Sequence, residues 1–188
     1  MKKIVVGITG ASGAPYAKRL LEALVRRRRE ANDVELACVL SATAPEVWAL
    51  ECGGHPEDLG VPIFGGRDYR APFASGSAGW DAMVVVPCSM STCGRVAHGI
   101  SDTLLTRAAD VMLKERRTLI LVPRETPMSV IHLENLLLLA RAGAVVMPAA
   151  PSFYAKPSSV DAVVDTVVHR VLDHLSLPAS DARRWGSP

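Results

Sequence analysis

Five short stretches of the chain place hydroxyls, small residues or charge immediately after an apolar run: TGASG at 9–13, SATA at 41–44, PCSMST at 87–92, PRETP at 123–127 and PAAPSFYAKP at 148–157. In the first, Ser12 stands among Gly7, Gly10 and Gly13 ahead of a helical pattern, so backbone amides and a hydroxyl can approach a phosphate. A strand-to-helix turn also uses glycine for backbone shape alone, and the loop by itself fits both readings. Ser89, Ser91 and Thr92 offer a second hydroxyl-rich helix start, whose plainest reading is N-capping. Arg124 and Glu125 stand directly after an apolar run that reads as a buried strand and just before the turn at Pro127, so that an Arg and a Glu sit at a strand's carboxyl end. Phe153 and Tyr154 supply an aromatic pair with one hydroxyl, suited to packing, to covering a flat ring or to holding a phosphate.

The elements that must position these groups follow from the apolar pattern. Runs at 3–8, 34–40, 82–86, 118–122 and 144–147 alternate with helical periodicity at 14–29, 42–51, 91–114, 129–141 and 158–175. Continuous rather than alternating apolar strands, separated by helices, predict a doubly wound α/β fold: one parallel sheet with helices on both faces, Rossmann-like or flavodoxin-like, in a single domain. Such sheets bind ligands beyond the carboxyl ends of their strands, where the five stretches fall. Residues 52–80, rich in Gly and Pro with one short apolar piece, read as a long excursion between the second and third main strands. The domain is expected over 1–175, with the polar residues 176–188 as a C-terminal tail extending from it. On the helix beginning near Ser101, Arg107, Asp110 and Lys114 share a face opposite Leu104, Leu105, Ala108, Val111 and Met112. That face is either solvated and ion-paired or an anion site, and the helix alone does not choose.

Composition removes several classes of function. A formal net charge of +2 over 188 residues does not argue for nucleic acid, and the one basic run, at 26–29, complements a helix C-terminus. Cys38, Cys52, Cys88 and Cys93 have no CxxC spacing, which reads as a reducing, cytoplasmic protein. Adding His98 to them matches no standard zinc pattern, so no metal is expected. The opening MKKIVVGITGASGAP flows into an amphipathic helix instead of a cleavage site, and no run is long enough to span a membrane. The first turn lacks GxGxxG spacing, and Ser41 stands where nicotinamide enzymes place an acid for the ribose, which favours a mononucleotide over NAD. His98, His132, His169 and His174 suggest no triad, and there is no nucleophile elbow.

Read together and in order, GITGASGAPYAKRLLEAL, SGS, PCSMST, SDTLLTRAADVMLKERR, LVPRETPMSVIHLEN and MPAAPSFYAKP resemble the UbiX-type flavin prenyltransferases over essentially the whole chain. The resemblance implies an enzyme that joins the dimethylallyl group of dimethylallyl monophosphate to reduced FMN without a metal, building a fourth ring on the flavin. Prenylated FMN would then serve a UbiD-type decarboxylase. It also implies a homo-oligomer, a dodecamer, with sites at subunit interfaces. By the same resemblance, Gly10, Ala11, Ser12, Ser41, Ser89, Met90, Ser91, Thr92 and Arg124 contact FMN. Arg107, Lys114, Glu125, Tyr154 and Arg170 surround the prenyl phosphate, with Trp185 nearby, and Ser12, Glu51 and Glu125 are the catalytic candidates. Ser91 departs from a lysine common in the family and Cys93 from a leucine, while the backbone of that stretch can still bind phosphate. A crowded cationic pocket suits a monophosphate, a poor leaving group unless its charge is compensated.

Two rival readings make distinct demands. A flavin-dependent decarboxylase of the cysteine type would carry a catalytic His in the early helix region and a PxMNxxMW stretch, and neither is present. A non-catalytic flavin-binding accessory subunit of a decarboxylase would keep the flavin contacts while losing Arg107, Lys114, Glu125, Tyr154 or Arg170, and all five remain.

Overall fold

Valine-rich and isoleucine-rich runs become strands here because branched side chains suit a pleated surface that is covered on both sides. The computed structural model, which describes residues 1–182 and Gly186, contains six parallel strands. They are β1 (Lys2–Ile8), β2 (Val34–Leu40), β3 (Ile63–Phe64), β4 (Ala82–Cys88), β5 (Thr118–Pro123) and β6 (Val145–Val146), in the order β3-β2-β1-β4-β5-β6. The winding reverses between β1 and β4, so the chain leaves those neighbouring tips toward opposite faces and a crevice opens between them.

Alternate strand side chains enter two separate cores. Ile4, Val6 and Ile8 face α1 (Ala14–Ala31), α2 (Ala44–Cys52) and α6 (Val160–His174). Val5, Met83 and Val85 face the other way, toward α3 (Met90–Ala97), α4 (Leu104–Lys114) and α5 (Val130–Arg141). Helix α4 buries Leu104, Leu105, Ala108, Val111 and Met112, as their spacing predicted, and leaves Arg107, Asp110 and Lys114 outward. Helix α6 buries Val164, Val167, Val168 and Val171, each worth roughly 1.5–3 kcal/mol by apolar transfer. It is tied to α1 by a two-pronged contact in which Arg19 Nε and Nη2 donate to Asp165 at 2.8 and 2.6 Å.

Three features differ from the sequence reading. The periodic segment 91–114 is two helices, α3 and α4, because Gly99 adopts a left-handed φ of 67° and Thr103 starts a new helix, its Oγ1 accepting from the Thr106 amide at 3.2 Å. The excursion 52–80 contributes a sixth strand, β3, which pairs with β2 through only two residues and so leaves no periodic signal. After α6 the chain does not leave the body at once: Leu177 is buried in the α1/α6 core, and Lys2 Nζ donates to the Leu175 carbonyl. Among the described residues, no helix is long and apolar enough to cross a membrane.

Candidate active site

Thr9, only 2% exposed, fastens the two strand tips that flank the crevice. Its Oγ1 donates to the Pro87 carbonyl at 2.7 Å and accepts from the Ser89 amide at 2.9 Å. Ser89 then caps α3, with Oγ accepting from the Thr92 amide at 3.3 Å and lying 3.1 and 3.0 Å from the hydroxyls of Ser91 and Thr92. At the tip of β2, the Ser41 amide donates to the Ile8 carbonyl at 2.9 Å. The β1 and β2 tips approach so closely that a Cβ on Gly10 would lie 1.9 Å from Thr43 Oγ1, and only glycine fits there.

These groups form one wall of a cleft of about 1360 Å³ between the β1–β3 tips and the starts of α3 and α4. Gly10, Ser41, Ser89, Ser91 and Thr92, all expected from the sequence, line it. Thr43, from the SATA stretch already marked in the sequence, lines it as well, and so do Arg95, Thr103 and Thr106, which were not expected there. Arg95 had a sequence signal, since it falls one helical turn beyond Ser91; the others depend on how loops cross the sheet edge. A hydroxyl-lined cleft at a topological switch point, with no carboxylate at the end of β2, fits a phosphorylated mononucleotide such as FMN.

Beside the cleft, Arg124 Nε donates to the Ser12 carbonyl at 2.9 Å, drawing the first turn toward β5. Gly13, in a positive φ of 124°, occupies the N-cap position of α1 and has no side chain to cap it. Glu51 caps it from α2, with Oε2 accepting from the Gly13 and Ala14 amides, both at 2.8 Å. Burial pushes the Glu51 carboxyl upward, but the Ser12 hydroxyl, the two amides and the Arg124 charge together outweigh it and hold the carboxyl below its ordinary range. Glu125 Oε1 accepts from the amide of its neighbour Thr126 at 2.9 Å. Ser12, Glu51, Arg124 and the 89–92 stretch therefore meet at one edge of the sheet.

The residues expected around a prenyl phosphate do not meet in the same way. Arg107 Nε donates to the Ala74 carbonyl at 3.3 Å, with Nη1 3.9 Å from Asp110, and Lys114 Nζ lies 2.5 Å from Glu115. Both cations belong to α4. Tyr154 and Arg170 line a separate cavity of about 730 Å³ beside α6, where Arg170 Nη1 donates to Asp173 at 2.8 Å. Since α4 and α6 cover opposite faces of the sheet, one chain does not gather these groups into a single pocket. Trp185 lies outside the described residues. Cys88 and Cys93 are buried free thiols with sulfurs 3.4 Å apart, and hydrogen bonding to Cys93 together with burial pushes the Cys88 thiol well up. Among the described residues, no group of three or more His, Cys, Asp or Glu side chains could hold a metal ion.

Several known proteins share this fold and much of this sequence. The family model described as Flavoprotein matches residues 1–172. The flavin prenyltransferase UbiX of Pseudomonas aeruginosa is 45% identical over 199 residues, which cover 98% of this chain and 94% of that protein. The crystal structure of AnUbiX (PadA1) in complex with FMN and dimethylallyl pyrophosphate superposes with a TM-score of 0.93 at 43% identity, covering 99% of this chain and 98% of that one. A dodecameric FMN-dependent UbiX-like decarboxylase from Escherichia coli O157:H7 superposes with a TM-score of 0.92 at 45% identity, covering 98% of this chain and 100% of that one. At such identity over nearly the full length, the chain belongs to the Flavoprotein family and, within it, to the UbiX-type flavin prenyltransferases.

Proposed function

We propose that the chain transfers a dimethylallyl group from dimethylallyl monophosphate to reduced FMN, releasing phosphate and prenylated FMN. The observation that carries this reading is the strand-tip cleft, where hydroxyls from the tips of β2 and β4 and from the starts of α3 and α4 converge, with Arg124 and Ser12 joined beside it. Gly10, Ala11, Ser12, Ser41, the stretch Ser89 to Thr92, and Arg124 hold the flavin. Glu125, at the carboxyl end of β5, carries a proton to the departing phosphate or from the flavin, with Ser12 as the adjacent hydroxyl. Glu51 keeps Ser12 and the first turn in place through its contacts with α1.

Arg107, Lys114, Tyr154 and Arg170 compensate the charge of the leaving phosphate as its C–O bond breaks, which is the condition for a monophosphate to depart. Because these groups sit on opposite faces of one sheet, their pocket forms where chains meet. Helix α5 supports assembly: Val130, Ile131, Leu133 and Leu137 are each more than half exposed, a stripe suited to burial against another copy. A dodecamer is the assembly we favour, by likeness to the Escherichia coli protein, with residues 1–175 as the flavin-binding domain and the tail, including Trp185, completing the donor site. The product would pass to a UbiD-type decarboxylase, and the four free thiols fit a cytoplasmic setting.

Mass spectrometry after anaerobic incubation with reduced FMN and either dimethylallyl monophosphate or the pyrophosphate tests the reading. A flavin heavier by one prenyl unit is expected with the monophosphate. Unmodified flavin with both donors would overturn it, and product from the pyrophosphate alone would overturn the choice of donor.

A further inference from the structure

Helix α3 divides its side chains between core and cleft. Met90, Cys93 and Val96 are buried against the sheet, while Ser91 and Arg95, one turn apart, face the strand-tip cleft that both line. The Arg95 side chain is 45% exposed and is held from one side, its Nε 3.3 Å from Asp102 Oδ2. An ion pair between two half-exposed side chains contributes little to stability, but it fixes the direction of the guanidinium. A guanidinium carries five N–H donors, so a contact through Nε leaves most of its planar fork to meet a second anion.

The cleft and the strand tips beside it differ in chemistry. Arg124, whose Nε donates to the Ser12 carbonyl at 2.9 Å, and Glu125, its neighbour in sequence, are the groups proposed to act on the reacting ring, and they lie beside the cleft at the tip of β5 rather than in its lining. A flavin oriented with its ring there directs its ribityl chain and terminal phosphate toward the hydroxyls of Ser41, Thr43 and Ser91 and toward Arg95. Of the other charged groups along the cleft, Glu57 and Asp68 are anionic, and Arg67 sits on an exposed turn without a helix to hold it. Arg95 is the cation carried by a packed helix and aimed by a carboxylate.

We infer that Arg95 binds the phosphate monoester of the flavin, with Asp102 as the residue that aims it. The inference rests on the flavin reading above and adds a phosphate-specific contact to it. It separates FMN from riboflavin, which has the same ring and ribityl chain and no phosphate.

Equilibrium titration of FMN and riboflavin against the full-length parent, Arg95→Ala and Arg95→Lys tests it. Arg95→Ala should weaken FMN binding about 10- to 100-fold, the range of a charge-assisted hydrogen bond to phosphate, and leave riboflavin binding as in the parent. Arg95→Lys should recover part of the loss, because a point charge replaces the fork. Added salt should weaken FMN binding by the parent more than by Arg95→Ala. Equal affinity of parent and Arg95→Ala for FMN, or equal loss of both flavins, would overturn the assignment while leaving the functional reading in place. A parent that bound neither flavin would overturn the functional reading itself, and this inference with it.

Discussion

The cleft proposed to hold the flavin draws its lining from strand tips and helix starts at one sheet edge of one chain, whereas Arg107 and Lys114 lie on the opposite face from Tyr154 and Arg170. The difference has a physical origin. A doubly wound sheet opens a crevice wherever its winding reverses, so hydroxyls and amides gather there without any further device. Cations do not gather so easily, because like charges brought together in a free chain repel until a ligand arrives. Here each cation proposed for the donor site instead rests beside its own carboxylate: Arg107 near Asp110, Lys114 near Glu115 and Arg170 near Asp173. Assembly would bring the cations together, and the phosphate would then compete with those carboxylates.

The largest effect should come from breaking assembly. The double change Leu133→Glu and Leu137→Glu places charge in the exposed apolar stripe of α5. Light scattering should then show smaller species that still bind FMN, with prenyl transfer reduced by about 10³-fold or more as the donor pocket loses part of its charge. Full activity in a dispersed chain would remove the contrast between the two regions. Next in size is Glu125→Gln, which keeps shape but cannot carry a proton. Anaerobic single turnover should slow by about 10²-fold at saturating donor with FMN affinity retained. A smaller and different effect is expected for Lys114→Ala: a rise of about 10-fold in the donor concentration needed for half-maximal rate, with the flavin site untouched.

The smallest effect concerns the flavin side. Glu51→Gln removes the ionised cap of α1 and should lower stability by about 0.5–1 kcal/mol at neutral pH. The Glu51 pKa is depressed in the folded chain, so its contribution is present above the ordinary carboxylate pKa and fades as pH falls through the folded value. Urea unfolding at a series of pH values should therefore show parent and variant converging in acid. A gap that widened on acidification would contradict the assigned role.

Five of the six strands and the polar stretches at their tips were legible because apolar runs of this kind have few structural alternatives. Ser41, Ser89, Ser91 and Thr92 could be placed along one cleft from their position after those runs. Strand β3 escaped because two residues cannot display a period. Glu51 was legible only through family likeness, since its contact with Gly13 and Ala14 depends on α2 folding back over the start of α1. The grouping of Arg107 and Lys114 with Tyr154 and Arg170 could not be checked from sequence, because periodicity shows which face of a helix is polar but not which side of the sheet the helix covers.

Co-assembly tests the shared donor site most directly. Arg107→Ala and Arg170→Ala chains, each carrying its own purification tag, would be assayed alone and after co-expression and isolation of mixed assemblies. Each variant alone should bind FMN and turn over slowly. A mixed assembly should recover a substantial part of the parent rate, because some interfaces pair an intact α4 with an intact α6. If mixed assemblies remained as slow as either variant alone while binding FMN normally, the donor site would lie within one chain and the account would be wrong.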